Sequence, residues 1–103
     1  MKNTNKILGV LNNKEIDKLD TQQAELWLRA KIVLQFVTLR KEKGLSQEEV
    51  AERIGVIRPQ ITRFENMKNS PTITFLVKYA KALDTEVDVL LKGVNLIEAK
   101  QKH

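Results

Sequence analysis

The chain has 103 residues, of which 42% are hydrophobic and 30% are charged. This is the size and balance of one small globular domain, and it excludes wholesale disorder. The chain contains no cysteine, and its single histidine, His103, is the last residue. These counts exclude disulfides, thiol catalysis and a zinc site built from cysteine and histidine. The net charge of +5 favours a polyanionic partner, although the basic residues are spread along the chain.

Signals for export, membrane insertion or catalysis are absent from the sequence. The apolar run at residues 7–11 is too short for the core of a signal peptide, and no stretch approaches the ~18 apolar residues of a membrane-spanning helix. We therefore expect a cytoplasmic protein that does not contact a membrane. We find no catalytic carboxylate pair, histidine relay or glycine-rich phosphate loop. We expect neither an enzyme nor a cofactor or metal site.

The first predicted element is a long helix over residues 22–43. Asp20 or Thr21 can cap its start, and Gly44 can end it in the left-handed conformation. Its apolar residues form two stripes on roughly opposite sides, at 3.6 residues per turn. One stripe is Leu28, Ile32, Phe36 and Leu39, and the other is Leu26, Ala30, Val33 and Val37. Two stripes imply two buried faces, so either residues 1–20 fold back over the second or another chain covers it.

Two short helices are predicted next, joined by a glycine and an apolar pair. Ser46 and Glu49 have the spacing of a reciprocal capping box, and Gly55 ends the first short helix. The second begins near Arg58, with Pro59 in its first turn, where the missing N–H has no cost. This arrangement is typical of a helix-turn-helix, whose second helix can enter a DNA major groove about 12 Å wide.

A polar loop and a further helix are predicted after this unit. Thr72 or Thr74 can cap the helix, which should run to about Leu83 and pack its apolar side inward. Residues 85–92 alternate like a half-buried strand but would also suit a short fifth helix. We favour the strand, because β-branched residues occupy alternate positions. Such a strand would have to pair with its copy in a second subunit.

The chain therefore divides into three predicted parts. Residues 1–20 form an N-terminal extension, in which a short helix over residues 13–19 is one option. Residues 21–92 form the helix-turn-helix domain, and residues 93–103 form a C-terminal tail.

Residues 39–83 carry a set of motifs at ordered spacing. They are Leu39-Arg40, Gly44-Leu45-Ser46-Gln47, Val50-Ala51, Ile54-Gly55-Val56, Ile61, Phe64-Glu65-Asn66, Pro71 and Ala80-Lys81-Ala82-Leu83. Through these motifs the segment resembles the lambda repressor/Cro-like (XRE) helix-turn-helix family. The resemblance implies an all-α fold, a bundle of four to five helices. Here the first helix is long, and the short C-terminal strand, if formed, would lie at a dimer interface.

The resemblance also implies which residues bind DNA: Gln47, Arg58, Gln60, Thr62, Arg63, Asn66 and Lys68. Gln47 matches a glutamine that usually binds a backbone phosphate in this family. Arg58 and Arg63 lie on the outward side of the second short helix and are the candidates for reading guanine, because arginine can bind O6 and N7 together. Gln60 can read adenine or bind a phosphate.

Thr62 is a weaker candidate for a DNA contact, and Asn66 and Lys68 lie just past the helix, where backbone contacts are common in the family. Arg40 and Glu65 match a structural ion pair, so we do not expect them to bind DNA. Trp27 and Tyr79 are expected in the core or an interface rather than stacked on bases.

Three positions depart from the family pattern. Ile57 occupies the cap position before the second short helix, where serine or threonine is common. Pro59 replaces a polar residue that often contacts bases, and Met67 replaces the glycine of the following turn. These departures affect which bases are read more than whether DNA is bound.

The long first helix and the predicted C-terminal strand are similar to those of HigA-type antitoxins of toxin–antitoxin operons. About twenty residues follow the fourth helix, so we expect no separate sensor domain. The resemblance implies a homodimer that represses its own operon, at a palindromic operator, and neutralises an mRNA-cleaving toxin of the RelE/HigB kind. We expect the toxin contact on residues 7–34. The alternatives are a stand-alone regulator without a toxin and a protein–protein adaptor that keeps the shape without DNA affinity.

Overall fold

A computed structural model of the chain describes residues 18–89 and residue 91. This part of the chain is all-α, as predicted, and contains no strand. Its four helices follow one another in the predicted order: α1 (Thr21–Glu42), α2 (Gln47–Ile54), α3 (Arg58–Glu65) and α4 (Ile73–Ala82). None of the four combines the length and the apolar character that spanning a bilayer would require.

Both predicted ends of the chain fall largely outside the described residues. Lys18 and Leu19 are the only described residues of the short helix considered at the N-terminus, and neither is helical. The predicted tail, residues 93–103, lies outside altogether. After α4, residues 85–89 form neither helix nor strand. The favoured strand is therefore not formed within one chain, and its pairing with a second subunit stays a prediction.

Asp20, rather than Thr21, caps α1. Its carboxylate accepts a hydrogen bond from the backbone N–H of Gln23 at 2.8 Å, and the Gln23 side chain accepts one from the backbone N–H of Asp20 at 3.0 Å. These bonds satisfy two N–H groups that the start of a helix leaves without partners. At the other end, Gly44 has a φ of +69°, the left-handed conformation that stops the helix.

Residues from both apolar stripes of α1 pack against the same core in the described part of the chain. Val33 is buried, and Phe36 is partly buried against the same core, because residues three apart in a helix share one side. The exposure of the apolar side chains depends instead on their position along the helix. In its first two thirds, Leu26, Leu28 and Leu34 are 52%, 50% and 42% exposed. The N-terminal extension, one of the two covers considered for the second stripe, lies mostly outside the described residues.

The core is dominated by aromatic rings from three helices. The ring of Phe64 in α3 lies 5.6 Å from that of Phe36 in α1, and 5.2 Å and 5.6 Å from those of Phe75 and Tyr79 in α4. Edge-on and tilted contacts of this kind are the favoured geometry for aromatic pairs. The other buried members are aliphatic: Val33, Val50, Ala51, Ile61, Leu76, Ala82 and Leu83. The inner face of α3 is therefore anchored in the body of the protein.

The start of α2 and its connection to α3 both form as predicted. The side chain of Ser46 accepts from the N–H of Glu49 at 3.0 Å, and the Glu49 carboxylate accepts from the N–H of Ser46 at 2.9 Å. The backbone hydrogen bond from Ser46 lowers the pKa of the Glu49 carboxyl. Gly55 ends α2 with a φ of +75°. Ala51 is buried where the two helices meet, and Val56 in the turn packs against the same core.

Met67 adopts the left-handed conformation in the turn after α3, with a φ of +59°. Its N–H donates to the carbonyl of Phe64 at 3.1 Å, and the N–H of Lys68 donates to the carbonyl of Arg63 at 2.9 Å. These bonds satisfy carbonyl groups that the end of a helix leaves free. The turn therefore keeps its geometry with methionine in place of glycine, and the Met67 side chain packs against the core.

Candidate nucleic-acid interface

The outer side of α3 carries several of the polar side chains that were predicted to contact DNA. Ile61 and Phe64 face inward and are at most 1% exposed. Because they lie three residues apart, they define one side of the helix and leave the other side free. The exposed residues are Arg58, Pro59, Gln60 and Arg63 on α3, with Asn66 and Lys68 just beyond its end.

Gln60 also takes part in capping α3. The cap position is occupied by Ile57, which has no side-chain acceptor, and the Gln60 side chain instead accepts a hydrogen bond from the backbone N–H of Ile57 at 3.2 Å. A bidentate contact with adenine would require both the oxygen and the nitrogen of the Gln60 amide. While this cap is in place, the Gln60 oxygen is shared with the N–H of Ile57, whereas its NH2 group stays available to donate to DNA.

Gln47 does not point freely into solvent; its amide joins α2 to both ends of α3. Its Nε2 donates to Glu65 Oε1 at 2.9 Å. Its Oε1 accepts from Thr62 Oγ1 at 2.8 Å and, over a longer 3.4 Å, from Arg58 Nε. Three of the predicted DNA contacts, Gln47, Arg58 and Thr62, are therefore brought together in one hydrogen-bonded group.

Glu65 anchors this group to the core. Its carboxylate accepts two hydrogen bonds from the guanidinium of Arg40, at 2.8 Å and 2.9 Å, and one from the Tyr79 hydroxyl at 2.6 Å. A third nitrogen of Arg40 donates to the carbonyl of Leu45 at 2.8 Å. The side chains of Arg40 and Glu65 are only 9% and 6% exposed. The expected structural ion pair is confirmed.

The surroundings keep this buried pair charged. Burial of Glu65 acts to raise its pKa, but the hydrogen bonds from Arg40, Tyr79 and Gln47 outweigh it, and the pKa is lowered. The hydrogen bond to Glu65 raises the pKa of Arg40. Burial, followed by the hydrogen bond to Glu65, raises the pKa of Tyr79. At neutral pH, Glu65 is therefore an anion that can only accept hydrogen bonds, and Tyr79 is a neutral donor.

The loop after α3 is tied to α1 by Arg29. Its Nη2 donates to Ser70 Oγ at 3.0 Å, and its Nη1 donates to the carbonyl of Met67 at 3.5 Å. On its other side, Arg29 pairs with Glu25, one turn earlier in α1, at 2.6 Å. This hydrogen bond lowers the pKa of the Glu25 carboxyl. The segment that carries the predicted phosphate contacts beyond α3 is thus held in place by α1.

The roles of Tyr79 and Arg29 were not predicted. Tyr79 was expected to be buried, and it is fully buried, but its hydrogen bond to Glu65 was missed. A tyrosine on the apolar side of a helix is a signal for such a bond, because a buried hydroxyl needs a partner. Arg29 had no comparable signal, since its partners in the loop are about forty residues away in the sequence.

Comparison with known proteins agrees with this geometry. A family model described as helix-turn-helix matches residues 38–90, about half of the chain. A curated relative, antitoxin HigA1 of Mycobacterium tuberculosis, is 37% identical over 73 residues, which cover 71% of this chain and 49% of the relative. The transcriptional regulator SinR of Bacillus subtilis is 43% identical over 53 residues, covering 50% of this chain and 48% of the relative.

A third relative is an uncharacterized helix-turn-helix transcriptional regulator of Methanothermobacter thermautotrophicus. It is 47% identical over 47 residues, which cover 46% of this chain and 68% of the relative. The chain spans about half the length of HigA1 and SinR, and no solved structure matched it. The residues in the helix-turn-helix model include α2, α3, α4 and the end of α1. The chain therefore belongs to the XRE-type helix-turn-helix family.

Proposed function

We propose that the protein is a sequence-specific, DNA-binding transcriptional repressor. The observation that carries this proposal is the division of α3 into two sides. Ile61 and Phe64 fix the helix in the core, whereas Arg58 and Arg63 project from its outer side into solvent. An eight-residue helix is about 12 Å long, which suits a short recognition helix seated in the major groove.

The residues around α3 fit a contact with the DNA backbone. Lys68 and Asn66 are exposed at the end of α3, and Arg29 holds their loop against α1. One N–H of the Gln47 amide is left over by its bond to Glu65 and can donate to a phosphate. Contacts of this kind set the position of the protein on the duplex, and the arginines of α3 read the bases.

We further propose that the protein acts as a homodimer on a palindromic operator. A two-fold axis places two recognition helices on half-sites about one helical turn apart. The segment after α4 provides a surface for the second copy, because Val87, Val89 and Leu91 are 38%, 71% and 69% exposed. Their alternation is the pattern that favours a strand paired across the dimer axis.

Replacing Arg63 by alanine tests base reading. We expect a loss of about 1–3 kcal/mol in binding free energy, and a relaxed preference at one base pair, because alanine cannot bind guanine O6 and N7. The measurement is fluorescence anisotropy of the full-length protein on a duplex selected from a random pool, with single base-pair changes and a salt series. Arg63→Lys is the matched control, since it keeps the charge but not the two-pronged geometry.

Two results would contradict this assignment at different levels. An equal loss on every duplex, with full recovery in Arg63→Lys, would show that Arg63 binds phosphate. If the unaltered protein shows no preference for any duplex and no steep salt dependence, the repressor proposal fails and the adaptor alternative replaces it.

We propose, more specifically, that the protein is the antitoxin of a toxin–antitoxin pair and binds a RelE/HigB-like toxin. The similarity to HigA1 supports this proposal, because it covers 71% of the chain, against 50% for SinR. Exposed leucines in the first two thirds of α1, Leu26, Leu28 and Leu34, give the expected toxin contact an apolar surface. The stand-alone regulator remains the second candidate.

Co-expression with the product of the neighbouring small open reading frame tests the antitoxin proposal. We expect the two proteins to purify together. Leu28→Asp should abolish the complex, because a carboxylate would lose its hydration in an apolar contact. Ile73→Asp is the matched control: Ile73 is 77% exposed in the first turn of α4 and should leave the complex intact. Separate purification of the unaltered pair would favour the stand-alone regulator.

A further inference from the structure

We propose that Thr62 and Gln47, anchored by Glu65, form a positioning group that holds the side chain of Arg58 for reading a base. Thr62 then acts through Arg58, and it does not contact DNA itself. This inference rests on the proposed function, since it concerns how the recognition helix is prepared before DNA binds.

The anchor of the group is the carboxylate of Glu65. It accepts four hydrogen bonds, two from Arg40 and one each from Tyr79 and Gln47. Four is about the full capacity of a carboxylate, which has no proton to donate. A reversed Gln47 amide would place its oxygen against this anion. The Nε2 of Gln47 must therefore face Glu65, and its Oε1 must face α3.

The oxygen of Gln47 is in turn held by Thr62. The Thr62 hydroxyl donates to it at 2.8 Å, and Thr62 is partly buried. A hydroxyl has one proton to donate, and the oxygens of a phosphodiester can only accept. As long as the bond to Gln47 persists, Thr62 has no proton for the DNA backbone. Its predicted role as a DNA contact is therefore replaced by an internal one.

The fixed oxygen of Gln47 then acts on Arg58. It lies 3.4 Å from Arg58 Nε, within reach of that N–H. The two terminal nitrogens of the guanidinium stay available to bind guanine O6 and N7. Restraining one side of a long, flexible side chain before binding reduces the conformational entropy that it loses on the DNA. The group therefore raises the affinity for the base pair that Arg58 reads.

Thr62→Val and Thr62→Ser form a matched pair for the test. Valine has nearly the shape of threonine without the hydroxyl, and serine keeps the hydroxyl. On a duplex selected from a random pool, we expect full-length Thr62→Val to bind about threefold to tenfold more weakly, the worth of one neutral hydrogen bond. Thr62→Ser should bind like the unaltered protein, and the salt dependence should not change. Thermal unfolding of each variant checks that it folds.

The decisive measurement is coupling to Arg58. In an Arg58→Ala background, the loss caused by Thr62→Val should disappear, because there is no guanidinium left to position. On a duplex in which 7-deazaguanine replaces the guanine read by Arg58, the loss should become smaller, because N7 is removed and O6 remains. A loss that is equally large in both backgrounds would show that Thr62 affects DNA binding without Arg58, either directly or through Gln47, and it would overturn the inference.

A second measurement needs no DNA. In nuclear magnetic resonance spectra of the free protein, we expect the Nε–H signal of Arg58 to shift and to exchange faster with water in Thr62→Val than in Thr62→Ser. An unchanged signal overturns the positioning group even if DNA binding is confirmed. A changed signal in a protein that prefers no duplex overturns the proposed function instead, together with the role in base reading.

Discussion

Replacing Phe64 by alanine is expected to destabilise the protein by about 3–5 kcal/mol, the range for a buried phenylalanine. Phe64 is 1% exposed and contacts the rings of Phe36, Phe75 and Tyr79. Alanine would leave a cavity at the point where α1, α3 and α4 meet. A domain of this size has a total stability of about 5–15 kcal/mol, so the loss is a large part of it. Binding to DNA should weaken in parallel.

Urea unfolding followed by circular dichroism measures this effect. Ile57→Ala is the control, because Ile57 is also apolar and lies just before the same helix but is 65% exposed. The free energy of unfolding of Ile57→Ala should differ from that of the unaltered protein by no more than about 0.5 kcal/mol. Equal destabilisation by the two substitutions would contradict the placement of Phe64 at the centre of the core.

Replacing Arg40 by methionine should have a comparable effect, about 3–5 kcal/mol of destabilisation. The substitution removes two of the four hydrogen bonds to Glu65 and leaves a buried carboxylate without its countercharge. The cost comes mainly from the unpaired charge rather than from lost packing, since methionine fills much of the same space.

A double-mutant cycle separates these two causes. The variant that combines Arg40→Met with Glu65→Leu removes both buried charges, and we expect it to be less destabilised than the sum of the two single variants. Additive losses, measured by urea unfolding at pH 7, would show that the two charges do not interact.

The dependence on pH provides an independent check of the same pair. The pKa of Glu65 is lowered below its ordinary value of 4.5 in the folded protein. Its contribution to stability is therefore complete above that value and is lost as the pH falls through the lowered pKa. The destabilisation caused by Arg40→Met should therefore become smaller as the pH falls from 4.5 through the lowered pKa of Glu65. A cost that is constant from pH 7 into this range would contradict the charged pair.

Local signals in the sequence predicted the helices well, because each acts within a few residues. Asp20, Ser46 and Thr72 cap their helices through hydrogen bonds to N–H groups three residues ahead. Gly44 and Gly55 end helices in the left-handed conformation. Such contacts depend only on neighbours along the chain, so spacing alone identifies them.

Contacts between distant residues were predicted less well. The sequence pattern marked Gln47 and Thr62 as surface groups, yet they bond to each other across 15 residues. Helical periodicity predicts which side of a helix faces inward, but it does not predict which polar groups then meet at the edge of the core. A pattern of apolar residues likewise cannot distinguish a side buried in the core of one chain from a side left exposed in it, as at Leu28.

The separation of α3 into a buried side and an exposed side affects how such proteins change the DNA sequences that they bind. The side chains that hold the helix, Ile61, Phe64 and Glu65, interleave with the exposed residues Gln60 and Arg63. A substitution at the exposed Arg63 should cost little stability, whereas one at Gln60 also removes the hydrogen bond that caps α3. Recognition helices of this kind can therefore acquire a preference for new DNA sequences while the fold stays the same.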